Sequence, residues 1–304
     1  MFTSSMKTII FAFHSEPYRR KRRLSSTKTT GFTTMFLDAA DLCASFRGMN
    51  WEWSKGCYIP PSSGTPPSLW KSLIGLILFD FLHYYVQSLS PTGFGSPNGG
   101  SVWMEGYPPL QRYFMSTYVT FLAGIVIYLA IDIPYAFHSL LGINVLGQKP
   151  EEWPPVSDCP WKATSLTDFW GRRWHQLFRF SFVGVGYKPF AWATGGNRAA
   201  GVMGAFIMSA FLHYLGAWGQ YPDVKFWQMG GFFILMGVGI VLERGWQVVT
   251  GRKVQGAYGA IWTFAWLLSF GQLAANAWGM SGMMASEFYP DWMRPSYIVF
   301  GRLH

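Results

Sequence analysis

The chain has 304 residues; half are hydrophobic and 19% aromatic, while only 13% are charged. That charged share is about half of what a soluble domain carries, so an ordinary water-soluble globule is excluded and a polytopic membrane protein is expected. The formal net charge of +9 is not read as nucleic-acid binding, because its basic residues lie beside apolar runs, where such blocks hold anionic membrane lipids.

Residues 1–45 are basic and polar and are expected to be poorly ordered, with the membrane domain running over 46–304. The block Arg19, Arg20, Lys21, Arg22 and Arg23 reads as exposed and headgroup-binding. The apolar piece from Ile9 to Phe13 is too short for a secretory leader. Cys43, Cys57 and Cys159 are odd in number and widely spaced. They are expected as unpaired thiols in a reducing compartment, and no metal site is expected.

Five apolar segments follow, at about 70–89, 113–133, 199–219, 228–243 and 258–280, each able to cross or nearly cross a bilayer, which takes about 20 helical residues. The fourth is short and Gly-rich. A break is expected at Pro134. Lys and Arg number nine before the first segment, one in 90–112, seven in 134–198, one in the next loop and three in the one after. This alternation is the positive-inside pattern. It supports five spans, a cytosolic N-terminus and a cytosolic 134–198 loop. The expected fold is all-α, a polytopic transmembrane helical bundle.

Within that loop, Ser165 precedes Asp168 by three residues, as a capping serine does. On a helix starting there, Asp168, Arg172, His175 and Arg179 share one stripe, and Trp170, Trp174, Leu177 and Phe178 form another. One reading is an interfacial amphipathic helix, aromatic side down. The other adds chemistry: two arginines beside indole rings suit a phosphate-bearing cosubstrate with an adenine ring.

His213 lies in a run of Ala, Gly, Met, Phe and Leu. An ionisable group there costs a few kcal/mol (roughly) unless it meets a partner or a polar cavity. It either bonds another helix or acts as a base. A histidine kept from water stays neutral near pH 7 and retains a lone pair, the state a general base needs. Gly201, Gly204, Ala205 and Ser209 would let neighbouring helices come close. Asp80 and His83 share a face of the first span and are expected to satisfy each other. Asp132 and Glu243 read as boundary residues, His138 is given no role, and His14 and His304 read as solvated.

Three stretches carry a resemblance. Phe46-Arg47-Gly48-Met49-Asn50-Trp51-Glu52-Trp53, Thr167-Asp168-Phe169-Trp170-Gly171-Arg172-Arg173-Trp174-His175-Gln176 and Ser209-Ala210-Phe211-Leu212-His213 resemble, in order and spacing, the motifs of the fungal wax-synthase-like branch of the membrane-bound O-acyltransferases. The resemblance implies acyl transfer from acyl-CoA to the hydroxyl of a lipophilic alcohol, a fatty or terpenoid one. It implies no cofactor beyond that cosubstrate, and residence in the endoplasmic reticulum. It casts His213 as the catalytic base and His175, where many members have Asn, as the second catalytic position. Trp170, Gly171, Arg172, Arg173, Trp174 and Arg179 would hold the CoA end, with Asp168 and Ser209 in support. Members carry further spans before the first motif, so a shortened chain is expected. The rival readings are a transporter or channel lined by Asp80, His83 and His213, and an inactive relative.

Overall fold

The computed structural model describes residues 2–13, 18–21, 31–45, 47–49, 51–54, 56–61 and 64–303. His14, Arg22, Arg23, Phe46, Asn50 and His304 of the sequence reading lie outside them. The described residues form helices and loops with no strand, as the composition required. Five helices are long: α3 (Leu69–Ser88), α4 (Pro109–Asn144), α8 (Arg198–Trp218), α9 (Phe226–Thr250) and α10 (Gly256–Met280). Shorter ones are α1 (Phe2–Ala12), α2 (Phe32–Ala44), α5 (Leu166–Asp168), α6 (Arg179–Phe182), α7 (Lys188–Ala193) and α11 (Pro295–Phe300).

All five expected segments are helical, and α3, α4, α8 and α9 are both long and apolar enough to cross a membrane. The protein is thus a helical integral membrane protein. The fifth, α10, has the length but is not among those four. Its polar side chains tie it inward: Gln272 Oε1 accepts from Trp103 Nε1 (3.0 Å) and Ser116 Oγ (2.9 Å), and Asn276 Oδ1 accepts from Ser101 Oγ at 2.9 Å. The fourth segment is longer than its Gly-rich sequence suggested, at 25 residues in α9.

The expected break at Pro134 does not occur, and α4 runs for 36 residues through it. At about 1.5 Å per residue this is about 54 Å, well beyond a hydrocarbon core of about 30 Å. His138 Nδ1 bonds the Pro134 carbonyl at 2.6 Å, one turn back.

Packing follows the pairs α3 with α4 and α8 with α9, and α10 touches both α4 and α9. Small residues set the closest approaches. A Cβ on Gly204 would lie 2.7 Å from the Gly186 carbonyl oxygen, and one on Gly201 would lie 2.8 Å from the Tyr187 ring. The chain at 183–187 therefore lies directly on α8. Of residues 1–45, α1 also docks here, with Ile10 against Gly184.

Two other expectations change. Asp80 and His83 are both buried, yet each binds the C-terminal segment instead of the other. Asp80 accepts from Arg294 Nε at 3.0 Å and from the Ser296 N–H at 2.7 Å, and His83 Nε2 bonds the Met284 carbonyl at 2.9 Å. Arg20 is not a solvated headgroup-binding cation. It pairs with Asp38 at 2.7 Å and Asp41 at 2.9 Å.

Candidate active site

The segment 165–179 is not one amphipathic helix. Ser165 Oγ caps its start, accepting from the Asp168 N–H at 2.9 Å as expected, but α5 lasts one turn. A π-helical turn follows over Phe169–Arg173, and Trp174 is extended at φ −76°, ψ 156°. Tertiary bonds end the helix. The Arg173 carbonyl, which a continuing helix would need, accepts from the Asp158 N–H at 2.8 Å. The Arg173 guanidinium donates to Asp168 at 2.6 Å and to the Asp158 carbonyl at 3.3 Å.

The stripe of Asp168, Arg172, His175 and Arg179 therefore does not form. Asp168 is occupied by Arg173, and Arg172 is exposed. The aromatic stripe turns inward: Trp170, Trp174 and Phe178 line a cavity of about 450 Å³, together with Gly171, His175, Gln176, Arg179, Ser209 and His213. Of the ten site residues named from sequence, this cavity collects seven; Asp168, Arg172 and Arg173 stay outside it.

Sequence reasoning missed Glu243. It is buried on α9, where one carboxylate oxygen accepts from the Leu166 N–H (2.6 Å) and Trp262 Nε1 (3.0 Å). The other accepts from the Thr167 N–H (3.0 Å) and Thr167 Oγ1 (2.7 Å). A carboxylate at a helix start satisfies otherwise unpaired N–H groups. Glu243 thereby fixes the origin of the turn that carries Trp170. An acid within an apolar helix was the visible signal; its partners Leu166 and Thr167, 77 and 76 residues away, were not readable.

His213 sits on α8, which Asn197 starts by accepting from the Ala199 and Ala200 N–H groups. Its Nδ1 lies 2.8 Å from the Ser209 carbonyl oxygen. A carbonyl only accepts, so Nδ1 carries the proton and the lone pair of the neutral ring lies on Nε2. The ring stacks on Phe233, with centroids 4.0 Å apart and planes at 23°. Trp170 meets Phe206 and Phe233 edge to face at 5.8 and 6.2 Å. The base candidate and the signature tryptophan thus share one aromatic wall.

The cavity keeps unspent polar atoms. Trp170 Nε1, His175 Nδ1 and Gln176 Oε1 are buried without a hydrogen-bond partner among the described residues. Gln176 is itself anchored, its Nε2 donating to the Trp170 and Trp174 carbonyls at 3.2 Å each. Burial, aided by His213 and Arg47, pushes the His175 pKa down to about 3. His175 therefore enters any reaction near pH 7 as a neutral ring. Asp80 and His83, which the transporter reading joined with His213, line no part of this cavity. Among the described residues no group of three or more His, Cys, Asp or Glu converges as a metal site would.

Fold and cavity together define a helical membrane protein with two histidines facing one largely apolar cavity. Residues 153–235 match the model of the membrane bound O-acyl transferase family, and both histidines fall within that stretch. The chain is similar to acetyltransferase ple2 of Rhodocybe pseudopiperita, 26% identical over 75% of this chain and 62% of that protein. It is similar to acetyltransferase ataH of Aspergillus terreus, 28% identical over 54% of this chain and 59% of the relative. A probable long-chain-alcohol O-fatty-acyltransferase of Arabidopsis thaliana is 31% identical over 38% of this chain and 35% of its own length. The resemblance read from the motifs is borne out by these matches. The matched regions span less than two thirds of each of these relatives.

Proposed function

We propose that this protein is an O-acyltransferase that moves an acyl group from acyl-CoA to the hydroxyl of a lipophilic alcohol, in the cavity between His175 and His213. The observation that carries the reading is the Nδ1–Ser209 bond of His213, which leaves Nε2 as a base within an apolar chamber. The alcohol oxygen attacks the thioester carbonyl carbon as its proton passes to Nε2. The tetrahedral intermediate collapses, the C–S bond breaks, and the leaving sulfur recovers the proton from His213. The ester and free CoA result. Trp170 Nε1–H and His175 lack partners among the described residues and serve to orient the acyl carbonyl and steady the developing oxyanion. The apolar lining keeps water from taking the acyl group.

The acyl group is assigned as acetyl and the acceptor as a terpenoid alcohol, on the names of the fungal relatives and the family resemblance. The alternating Lys and Arg counts favour a cytosolic N-terminus and a donor arriving from that side, in the endoplasmic reticulum membrane. Microsomes bearing the protein should turn labelled acetyl-CoA and a pool of lipophilic alcohols into esters. His213→Ala should abolish turnover while the protein stays in the membrane. Undiminished ester formation by that variant overturns the assignment.

A further inference from the structure

A second cavity of about 550 Å³ is lined by Arg47, Tyr135, His138, Glu152, Trp153 and Leu177, among others. It borders the first across a single strip of chain, since Leu177 faces it while Gln176 and Phe178 face the histidine chamber. The charge of Arg47 is felt at His175, so the two spaces are electrostatically joined as well.

Arg47 is 5% exposed. Its Nη1 is committed, donating to the Pro154 carbonyl at 2.7 Å, the Pro155 carbonyl at 3.0 Å and Tyr135 Oη at 3.3 Å. Its Nε and Nη2 are buried with no partner among the described residues. Those two atoms form one edge of the guanidinium, the fork that takes two oxygens of a single oxyanion. Nη1 thus holds the group in place, and the opposite edge is buried without a partner among the described residues. A buried cation without a counter-ion is strongly unfavourable, so a chain that builds one has a ligand for it. Two carboxylates also line the space. Asp41 is spent on Arg20 (2.9 Å) and Trp51 Nε1 (2.8 Å). Glu152 is half-exposed and makes no ion pair with Arg47 among the described residues.

The geometry points to this cavity as a phosphate subsite, in which the Nε/Nη2 edge of Arg47 binds a phosphate of the acyl-CoA donor while the thioester lies beside His175. This rests on the acyltransferase reading for the identity of the donor. It replaces Arg172 and Arg173 as the main phosphate ligands: the first is exposed and the second already bridges Asp168 and Asp158. Tyr135 and Trp153, with ring centroids 5.6 Å apart, supply an aromatic wall beside the phosphate.

The test is binding of coenzyme A and of pantetheine, which has no phosphate, to the purified full chain in detergent. Arg47→Gln should weaken coenzyme A about tenfold, the loss of one charge-assisted contact, and leave pantetheine unchanged. Arg47→Lys, which keeps the charge but not the fork, should fall between. Equal weakening of both ligands would mean that Arg47 only holds the Pro154–Pro155 loop and would overturn the proposal. So would coenzyme A affinity unchanged in a variant that melts at the wild-type temperature. Stabilisation by phosphatidic acid micelles that disappears in Arg47→Gln, with coenzyme A binding intact, would assign the phosphate to a lipid and overturn the donor assignment. Binding is read apart from turnover, so a wild-type protein that makes no ester yet binds coenzyme A through Arg47 would sink the acyltransferase reading alone.

Discussion

His213 Nδ1 lies 2.8 Å from the carbonyl oxygen of Ser209, while the Ser209 hydroxyl lies farther away at 3.4 Å. The contact that sets the imidazole tautomer therefore comes from the backbone of α8.

Ser209→Ala should then keep most of the activity, within about threefold, because the carbonyl remains. His213→Ala should lose about 10²–10⁴-fold, the usual worth of a positioned base. Initial rates of ester formation at matched membrane levels check both. A Ser209→Ala loss as large as that of His213→Ala would place the serine hydroxyl in the proton path instead.

Glu243 should prove a stability residue with a catalytic echo. Glu243→Ala leaves the buried Leu166 N–H, the part-buried Thr167 N–H and the Trp262 indole without their acceptor. At about 1–3 kcal/mol per unsatisfied group, the variant should melt several degrees lower in detergent. Glu243→Gln retains one acceptor oxygen and should fall between. Wild-type melting in Glu243→Ala would contradict this account.

The two adjacent arginines should part company. Arg173→Ala breaks the pair with Asp168, whose side chains are about one-fifth exposed, and should cost about 0.5–1 kcal/mol along with some loss of turnover. Arg172→Ala touches an exposed side chain and should leave the melting temperature unchanged. Thermal unfolding of the two variants, run side by side, decides the matter.

Stability should fall with acidity through His175. Its pKa is about 3 in the folded protein against about 6.5 in an unfolded chain. Between those values the unfolded chain binds a proton that the folded one refuses, so stability is full above about pH 6.5 and declines as the pH drops toward 3, by at most about 1.4 kcal/mol per unit. The decline between pH 7 and pH 5 should be smaller in His175→Asn. An identical pH dependence in the two proteins would show that His175 is not the group responsible.

Periodicity and charge alternation made the long helices legible, because a bilayer demands runs of apolar residues whatever they pack against. The two histidines were legible because each stood out chemically from its surroundings. The path of 165–179 was not. Helical spacing predicted a continuous stripe, but the bond from Asp158 to the Arg173 carbonyl and the clamp of Glu243 on Leu166 and Thr167 are long-range contacts that no local pattern encodes. For the same reason the alternative that laid Trp170 and Trp174 in the membrane interface gives way to cavity walls. Pro134 misled in the opposite direction: a proline signals a stop, yet within α4 the surrounding helix carries it.

The pairing of Asp80 with Arg294 has a consequence for how this protein is made. The acid belongs to the first long helix and its cation lies 214 positions later, so the ribosome delivers the aspartate to the bilayer well before its mate exists. Until Arg294 is made that helix waits incomplete, and the segment that carries the arginine seals it. Premature termination upstream of Arg294 would strand a lone carboxyl group among lipids, giving quality-control machinery a mark by which to recognise an unfinished chain.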